Sequence, residues 1–111
     1  MSAKAKLQNK LAILVAETHT LFTMTTTSVG TSATAIPVTA KTNRKGILVQ
    51  NKHGVNVVYL GGSGVTADDA STGGYELAPG DAVFLPLDGS VDLYAIASGA
   101  TTAVGTMEFA D

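Results

Sequence analysis

From residue 36 onward, glycine, proline or aspartate cuts the chain about every ten residues into short runs rich in Val, Ile, Leu and Tyr. That rhythm constrains the fold more than any other feature, because no run is long enough for a helix and each break carries turn chemistry. "ILVQN" (47–51) and "VNVVYL" (55–60) flank Lys52-His53-Gly54, which reads as a short hairpin connection. In "YELAPGDAVFLPL", Ala78-Pro79-Gly80-Asp81 puts Pro at the second and Gly at the third turn position, as a type II turn requires. "AVFLPL" (82–87) and "VDLYAIA" (91–97) are joined by Asp88-Gly89-Ser90, a second hairpin signal. After Ser98-Gly99-Ala100, the alternation of "TTAVGTMEF" (101–109) places Ala103, Met107 and Phe109 on one face of a strand. Five or six such strands predict a mainly β domain, an antiparallel β-sandwich or jelly-roll-like barrel, over residues 36–111.

Residues 1–35 differ. Leu7, Leu11, Leu14, Val15, Leu21 and Phe22 recur near a period of 3.6, with Lys4, Lys6, Lys10 and Glu17 off the stripe and Ser2 placed as an N-cap. The spacing predicts a helix over 1–22. The stripe suits either packing on the chain's own β domain or docking on a neighbour; Thr18 interrupts the heptad seam it would otherwise form. "TMTTTSVGTSATA" (23–35) has no helical period and few large side chains, and predicts an extended linker or arm that would accept a strand role if a sheet edge were offered.

The core of such a chain is thin. Hydrophobic residues make up 45% of the 111, but mainly as Ala and Val, and aromatics are 5% with no Trp. A large buried side chain contributes roughly 1.5–3 kcal/mol, so neighbours in an assembly are expected to complete the burial. Without cysteine there is no disulfide framework, thiolate nucleophile or zinc-thiolate site. The apolar patch Leu11–Ala16 is shorter than the roughly 7–15 residues of a signal-peptide core. No apolar run approaches the ~18 residues of a membrane span, so no membrane role is expected.

Charge is split along the chain. All seven bases lie in 1–52, against the single acid Glu17, and residues 53–111 hold the other eight acids and no base. Either two surfaces of opposite sign meet different partners, or folding erases the segregation.

Catalytic chemistry finds little material. "VYLGGSGVT" (58–66) begins as a strand followed by glycines, as some phosphate sites do. A phosphate cradle needs a helix opening after the loop, and a P-loop also needs a lysine; here Val65-Thr66-Ala67-Asp68-Asp69 follows, and its acids would repel a phosphate. The loop reads as a turn. His19 and His53 have no metal-ligand spacing, Asp68-Asp69 lacks a calcium-loop pattern, and Ser63 is not in a GxSxG elbow. Glu76, Asp81, Asp88 and Asp92 sit in or beside turns, where solvated carboxylates are ordinary. No enzyme, cofactor or metal site is expected. Nucleic acid is disfavoured as a partner by the net charge of −2 and by bases without interleaved aromatics, although Lys41, Arg44 and Lys45 cluster before a strand.

The run "NRKGILVQNKHGVNVVYLGGSGVT", with "YELAPGDAVFLPL" and "VDLYAIASG", resembles a small β domain of tailed-bacteriophage virion proteins, of the capsid decoration, cement or head-fibre type. It covers about residues 43–99; the 67–74 loop is longer than usual and residues 1–35 have no counterpart in the pattern. The resemblance implies a structural virion protein, assembled in the host bacterial cytoplasm, that decorates or cements a capsid by non-covalent contacts. Its partners would be the major capsid protein or other virion subunits, and it would be a homo-oligomer, with capsid symmetry suggesting a trimer. On that expectation Lys4, Lys6, Lys10, Lys41, Arg44 and Lys45 face an acidic capsid surface, Leu7, Leu11, Leu14 and Leu21 form a docking or oligomer seam, and Asp68, Asp69 and Asp88 point outward. Two alternatives stand beside it. One is a tail, fibre or baseplate subunit; the other is a host-receptor or glycan-binding module using the 61–74 loop with Tyr59, Tyr75 or Tyr94.

Overall fold

Period-2 alternation builds the layers. The computed structural model describes residues 21–68 and 70–111. In chain order its strands are β1 (Leu21–Val29), β2 (Thr34–Ala35), β3 (Arg44–Asn51), β4 (Val58–Gly61), β5 (Tyr75–Leu77), β6 (Ala82–Leu85), β7 (Tyr94–Ala97) and β8 (Thr102–Ala110). They form two four-stranded sheets, a long one in the order β1-β8-β3-β6 and a short one in the order β2-β7-β4-β5, with antiparallel pairing throughout. The chain is a mainly β antiparallel sandwich, and the described residues contain no helix.

In β8 the even-numbered residues Thr102 to Ala110 are buried and the odd ones between them half-buried, as expected of a strand with one face on a core. The core between the sheets is aliphatic. Ile47, Val49, Val104 and Val29 come from the long sheet and Val58, Leu60, Leu77, Ala95 and Ala97 from the short one, with Ile36 and Leu93 from the connections. No phenylalanine or tyrosine belongs to it.

The Thr-rich segment is a strand rather than a linker. All nine residues of β1 pair with β8, from Leu21 opposite Ala110 to Val29 opposite Thr102. Residues 21–35, expected in a separate arm, therefore supply β1 and β2 of the sandwich. Leu21 and Phe22, expected at the end of a helix, open β1; the remainder of that expected helix lies outside the described residues. The physical reason is local: β-branched threonines favour the pleated conformation, and β8 offers them a full-length partner.

The two expected hairpins are not hairpins. β3 lies in the long sheet and β4 in the short one, and β6 and β7 are split in the same way. Of the successive strand pairs only β4 and β5 share a sheet. Buried Asn51 bends the first crossing. Its Nδ2 donates to the carbonyls of Asn56 (2.8 Å) and Leu77 (3.0 Å), and its Oδ1 accepts the N–H of His53 (3.0 Å). His53 Nδ1 then accepts the N–H groups of Val55 (3.0 Å) and Asn56 (2.8 Å). A buried amide needs such partners, and here they carry the chain from one sheet to the other. The type II turn is where it was expected: Gly80 has φ +84° and the N–H of Asp81 donates to the carbonyl of Ala78 at 2.9 Å.

Arg44 organises the second crossing. It is 1% exposed and its Nη1 lies 2.9 Å from Oε2 of Glu108, itself 2% exposed. Its Nε donates to the carbonyl of Leu87 (3.1 Å), and Nη2 to those of Asp88 (3.0 Å) and Val91 (2.6 Å). Glu108 Oε2 also accepts the backbone N–H of Lys41 (2.9 Å). We expect Arg44→Met to cost ~3–5 kcal/mol in urea unfolding, because Glu108 is left buried without its counter-ion. Combining it with Glu108→Gln is expected to cost clearly less than the sum of the two single changes.

At the edge of this cluster, Asp88 accepts hydrogen bonds from the hydroxyl and the backbone N–H of Ser90. Those bonds, led by the hydroxyl, hold its carboxyl below the ordinary aspartate range, and the charges of Arg44 and Lys45 add to them. A carboxyl with a depressed folded-state pKa stabilises the fold above its unfolded-state pKa and loses that contribution as pH falls through the folded value. Asp88→Asn is therefore expected to lower stability at neutral pH, with the difference from the parent shrinking in acid, as read from unfolding midpoints across pH.

Candidate docking surface on the long sheet

If the even positions of β8 face inward, the odd ones and their register partners face out. Met24, Met107, Leu48 and Phe84 stand opposite one another in a single row across all four strands of the long sheet. In the next row Phe22 faces Phe109, and Phe109 faces Gly46. A Cβ at Gly46 would collide with the ring of Phe84, so the missing side chain is what lets that ring lie over β3. There it meets Phe109 edge-on, with ring centroids 6.0 Å apart and planes at 63°.

All three phenylalanines of the chain thus lie on the outer face, together with Met24 and Met107. Phe22 is 59% and Met24 68% exposed, while Leu48, Phe84, Met107 and Phe109 are half-buried. No described strand is laid over them. On the other side of the Met row, Gly105 of β8 opens a groove of about 380 Å³, bounded by Met24, Leu48, Met107 and Lys52. The aliphatic stem of Lys52 crosses it, with Cδ and Cε 3.1 Å from where a Gly105 Cβ would be. A contiguous apolar face of this kind on a small domain is the signature of a contact surface.

The residues expected at a partner interface are dispersed. Lys4, Lys6, Leu7, Lys10, Leu11 and Leu14 lie outside the described residues. Leu21 is exposed at the start of β1, on the opposite face of that strand from Phe22. Lys41 is half-buried before β3, its Nζ donating to Thr23 Oγ1 at 2.8 Å. Arg44, expected on an outward basic face, is corrected: it is buried and held by Glu108, so it offers no charge to a partner. Lys45 is exposed. Missing from the expected set were Phe22, Met24, Leu48 and Phe84. The alternation of Phe22 and Met24 with threonines was the available signal, and it was masked by the helical period that precedes it.

The glycine loop connects β4 to β5 within the short sheet. It is closed by its own backbone, with the N–H of Thr66 on the carbonyl of Thr72 (2.9 Å) and the N–H of Gly74 on that of Thr66 (3.2 Å). Asp68, expected to point outward, accepts from Thr66 Oγ1 (2.8 Å) and the N–H of Ala70 (3.0 Å) within the loop. A depression of about 340 Å³ beside Gly62, Gly64 and Gly74 is lined by no Lys or Arg. Of the tyrosines, Tyr59 of β4 and Tyr94 of β7 stand on one face of the short sheet, diagonal to each other on paired strands and beside Glu76 of β5, whereas Tyr75 pairs with Leu60 on the other face. Among the described residues no group of three or more His, Asp or Glu could hold a metal ion. Comparison of the chain with protein-family models, with curated proteins and with solved structures finds no match.

The glycines themselves provide a check on the turn reading. A Cβ at Gly62 or Gly64 meets nothing within 4 Å, whereas one at Gly74 would lie 2.6 Å from the carbonyl oxygen of Leu60. Alanine at 62 or 64 is expected to change stability by no more than about 0.5 kcal/mol. At 74 it is expected to cost ~2 kcal/mol or more by forcing β4 and β5 apart, measured by thermal unfolding.

Proposed function

We propose that the chain is a structural protein of a tailed-bacteriophage virion that decorates or cements the capsid through non-covalent contacts. The observation that carries the reading is the apolar outer face of the long sheet, where Phe22, Met24, Leu48, Phe84 and Met107 sit on a domain whose own core holds no aromatic ring. A chain that keeps its rings outside its core is suited to burying them against something else. The sequence resemblance supplies the class of assembly: the residues that carry it, 43–99, run from the turn before β3 to the turn after β7. A working part in this reading is the lysine set Lys41, Lys45 and Lys52, all borne by β3 of the long sheet or its flanking loops, while Asp68 and Glu76 belong to the short sheet or its loop. Lys41, Lys45 and Lys52 would be the groups that meet an acidic capsid surface, with Asp81, Asp88 and Asp111 at the ends of β6 and β8 in the same layer.

The test is co-sedimentation of the purified chain with capsids assembled without it. Saturable binding to capsids is expected, weakened about tenfold, or ~1.4 kcal/mol, when Lys41, Lys45 and Lys52 are all changed to Glu. Binding to purified tails instead would move the protein to a tail or baseplate position, and binding to neither would remove the virion reading.

A further inference from the structure

We propose that residues 3–16 of the chain dock as an amphipathic helix across the outer face of their own long sheet, with Leu7, Leu11 and Leu14 set onto the Met24–Met107–Leu48 row and the groove at Gly105. This bears on the same apolar face that supports the virion reading and goes beyond it: with the helix in place, a capsid would meet the outer side of the helix and the lysines of that layer rather than the bare Met24–Met107–Leu48 row.

Position is the first support. The segment ends four residues before β1, and β1 is the edge strand of the sheet whose outer face is apolar. At the start of that strand Phe22 and Phe109 stand opposite each other, so the preceding residues are delivered to the margin of the apolar face. Length is the second. Four strands spaced ~4.8 Å apart span about 14 Å, and fourteen helical residues at 1.5 Å each cover about 21 Å, enough to cross from β1 to β6. The four residues Glu17-Thr18-His19-Thr20 reach at most about 14 Å when extended, which exceeds the ~10 Å between packed layers.

Pattern is the third. Leu7, Leu11 and Leu14 recur at i, i+4 and i+7 and fall on one side of a helix, with Lys6 and Lys10 on its flank. No comparable stripe of large side chains exists elsewhere in the chain without a place in the sandwich. The groove at Gly105 is apolar except for Thr and Gln side chains and Lys52, whose stem can swing aside to admit a leucine. The short tether favours the chain's own face over a neighbour's, because it holds the helix there at millimolar effective concentration. Docked in this way, the helix sets Lys6 and Lys10 on the same layer as Lys52.

The experiment is methyl NMR on the full chain. Contacts are expected from the methyls of Leu7, Leu11 and Leu14 to those of Met24, Met107 and Leu48, unchanged on dilution and absent between chains in a sample mixing two isotope labels. In Leu11→Asp/Leu14→Asp those contacts should vanish and the fluorescence of an added apolar dye should rise severalfold, while the signals of Ile47 and Val104 in the core stay in place. Contacts found only between differently labelled chains would overturn the proposal in favour of a second copy as occupant. No contacts, with dye bound equally by parent and variant, would overturn it in favour of an outside partner. These readouts are made without capsids, so failure of the helix docking and failure of capsid co-sedimentation are told apart.

Discussion

The buried ion pair of Arg44 and Glu108 is the constraint around which the rest of the sandwich is arranged. A guanidinium removed from water is tolerated only when its donors are met, and here one carboxylate oxygen and three backbone carbonyls meet them. Those carbonyls belong to Leu87, Asp88 and Val91, the stretch that carries the chain from β6 in the long sheet to β7 in the short one. Glu108 in turn holds the backbone of Lys41 ahead of β3. One buried charge therefore fixes two adjacent strands of the long sheet, the loop that leads into it and a crossing between layers. At the far end of β3, Asn51 does the same with a neutral amide, binding Asn56 in the next crossing and Leu77 at the end of β5. β3 is anchored in polar contacts at both ends and aliphatic between them.

That arrangement explains why the core can be so plain. Val, Ile, Leu and Ala fill the space between two sheets without an aromatic ring, and register is held by directional polar bonds at the ends of β3. The rings are used elsewhere. Phe22, Phe84 and Phe109 lie on the outside of the long sheet, where Gly46 lets one ring fold over β3 and Gly105 leaves a groove beside the methionines. The sandwich thus has an aliphatic interior that holds it together and an aromatic exterior that asks for a cover. A cover on this face would take the exposed Phe22 and Met24 out of water.

The charge split along the sequence is partly erased and partly preserved by folding. Arg44 and Glu108, one from each half, cancel in the interior. Of the remaining described bases, Lys41, Lys45 and Lys52 stay with the long sheet, and carboxylates such as Asp68 and Asp88 are spent locally on their own turns. Acidity in the second half is therefore largely turn chemistry, while the surviving lysines line the layer that also carries the apolar face.

Alternation, turn residues and the scarcity of large side chains determined, from sequence alone, a mainly β fold of the sandwich or barrel kind, a type II turn at Ala78–Asp81 and a glycine loop between strands. These features depend on neighbours one to four residues apart, so they are legible locally. Which strands pair was decided only in three dimensions. A break such as Lys52-His53-Gly54 looks the same whether it closes a hairpin or crosses between sheets, and the difference lies in the partners that buried Asn51 finds 5 and 26 residues away. The same holds for the Thr-rich segment, which reads as a linker until β8 supplies an edge, and for Arg44, whose charge looks available until Glu108, 64 residues on, takes it inside. Alternation in β8 showed that Met107 and Phe109 share a face; only the packing of the second sheet against the other side decided that this face is the outer one.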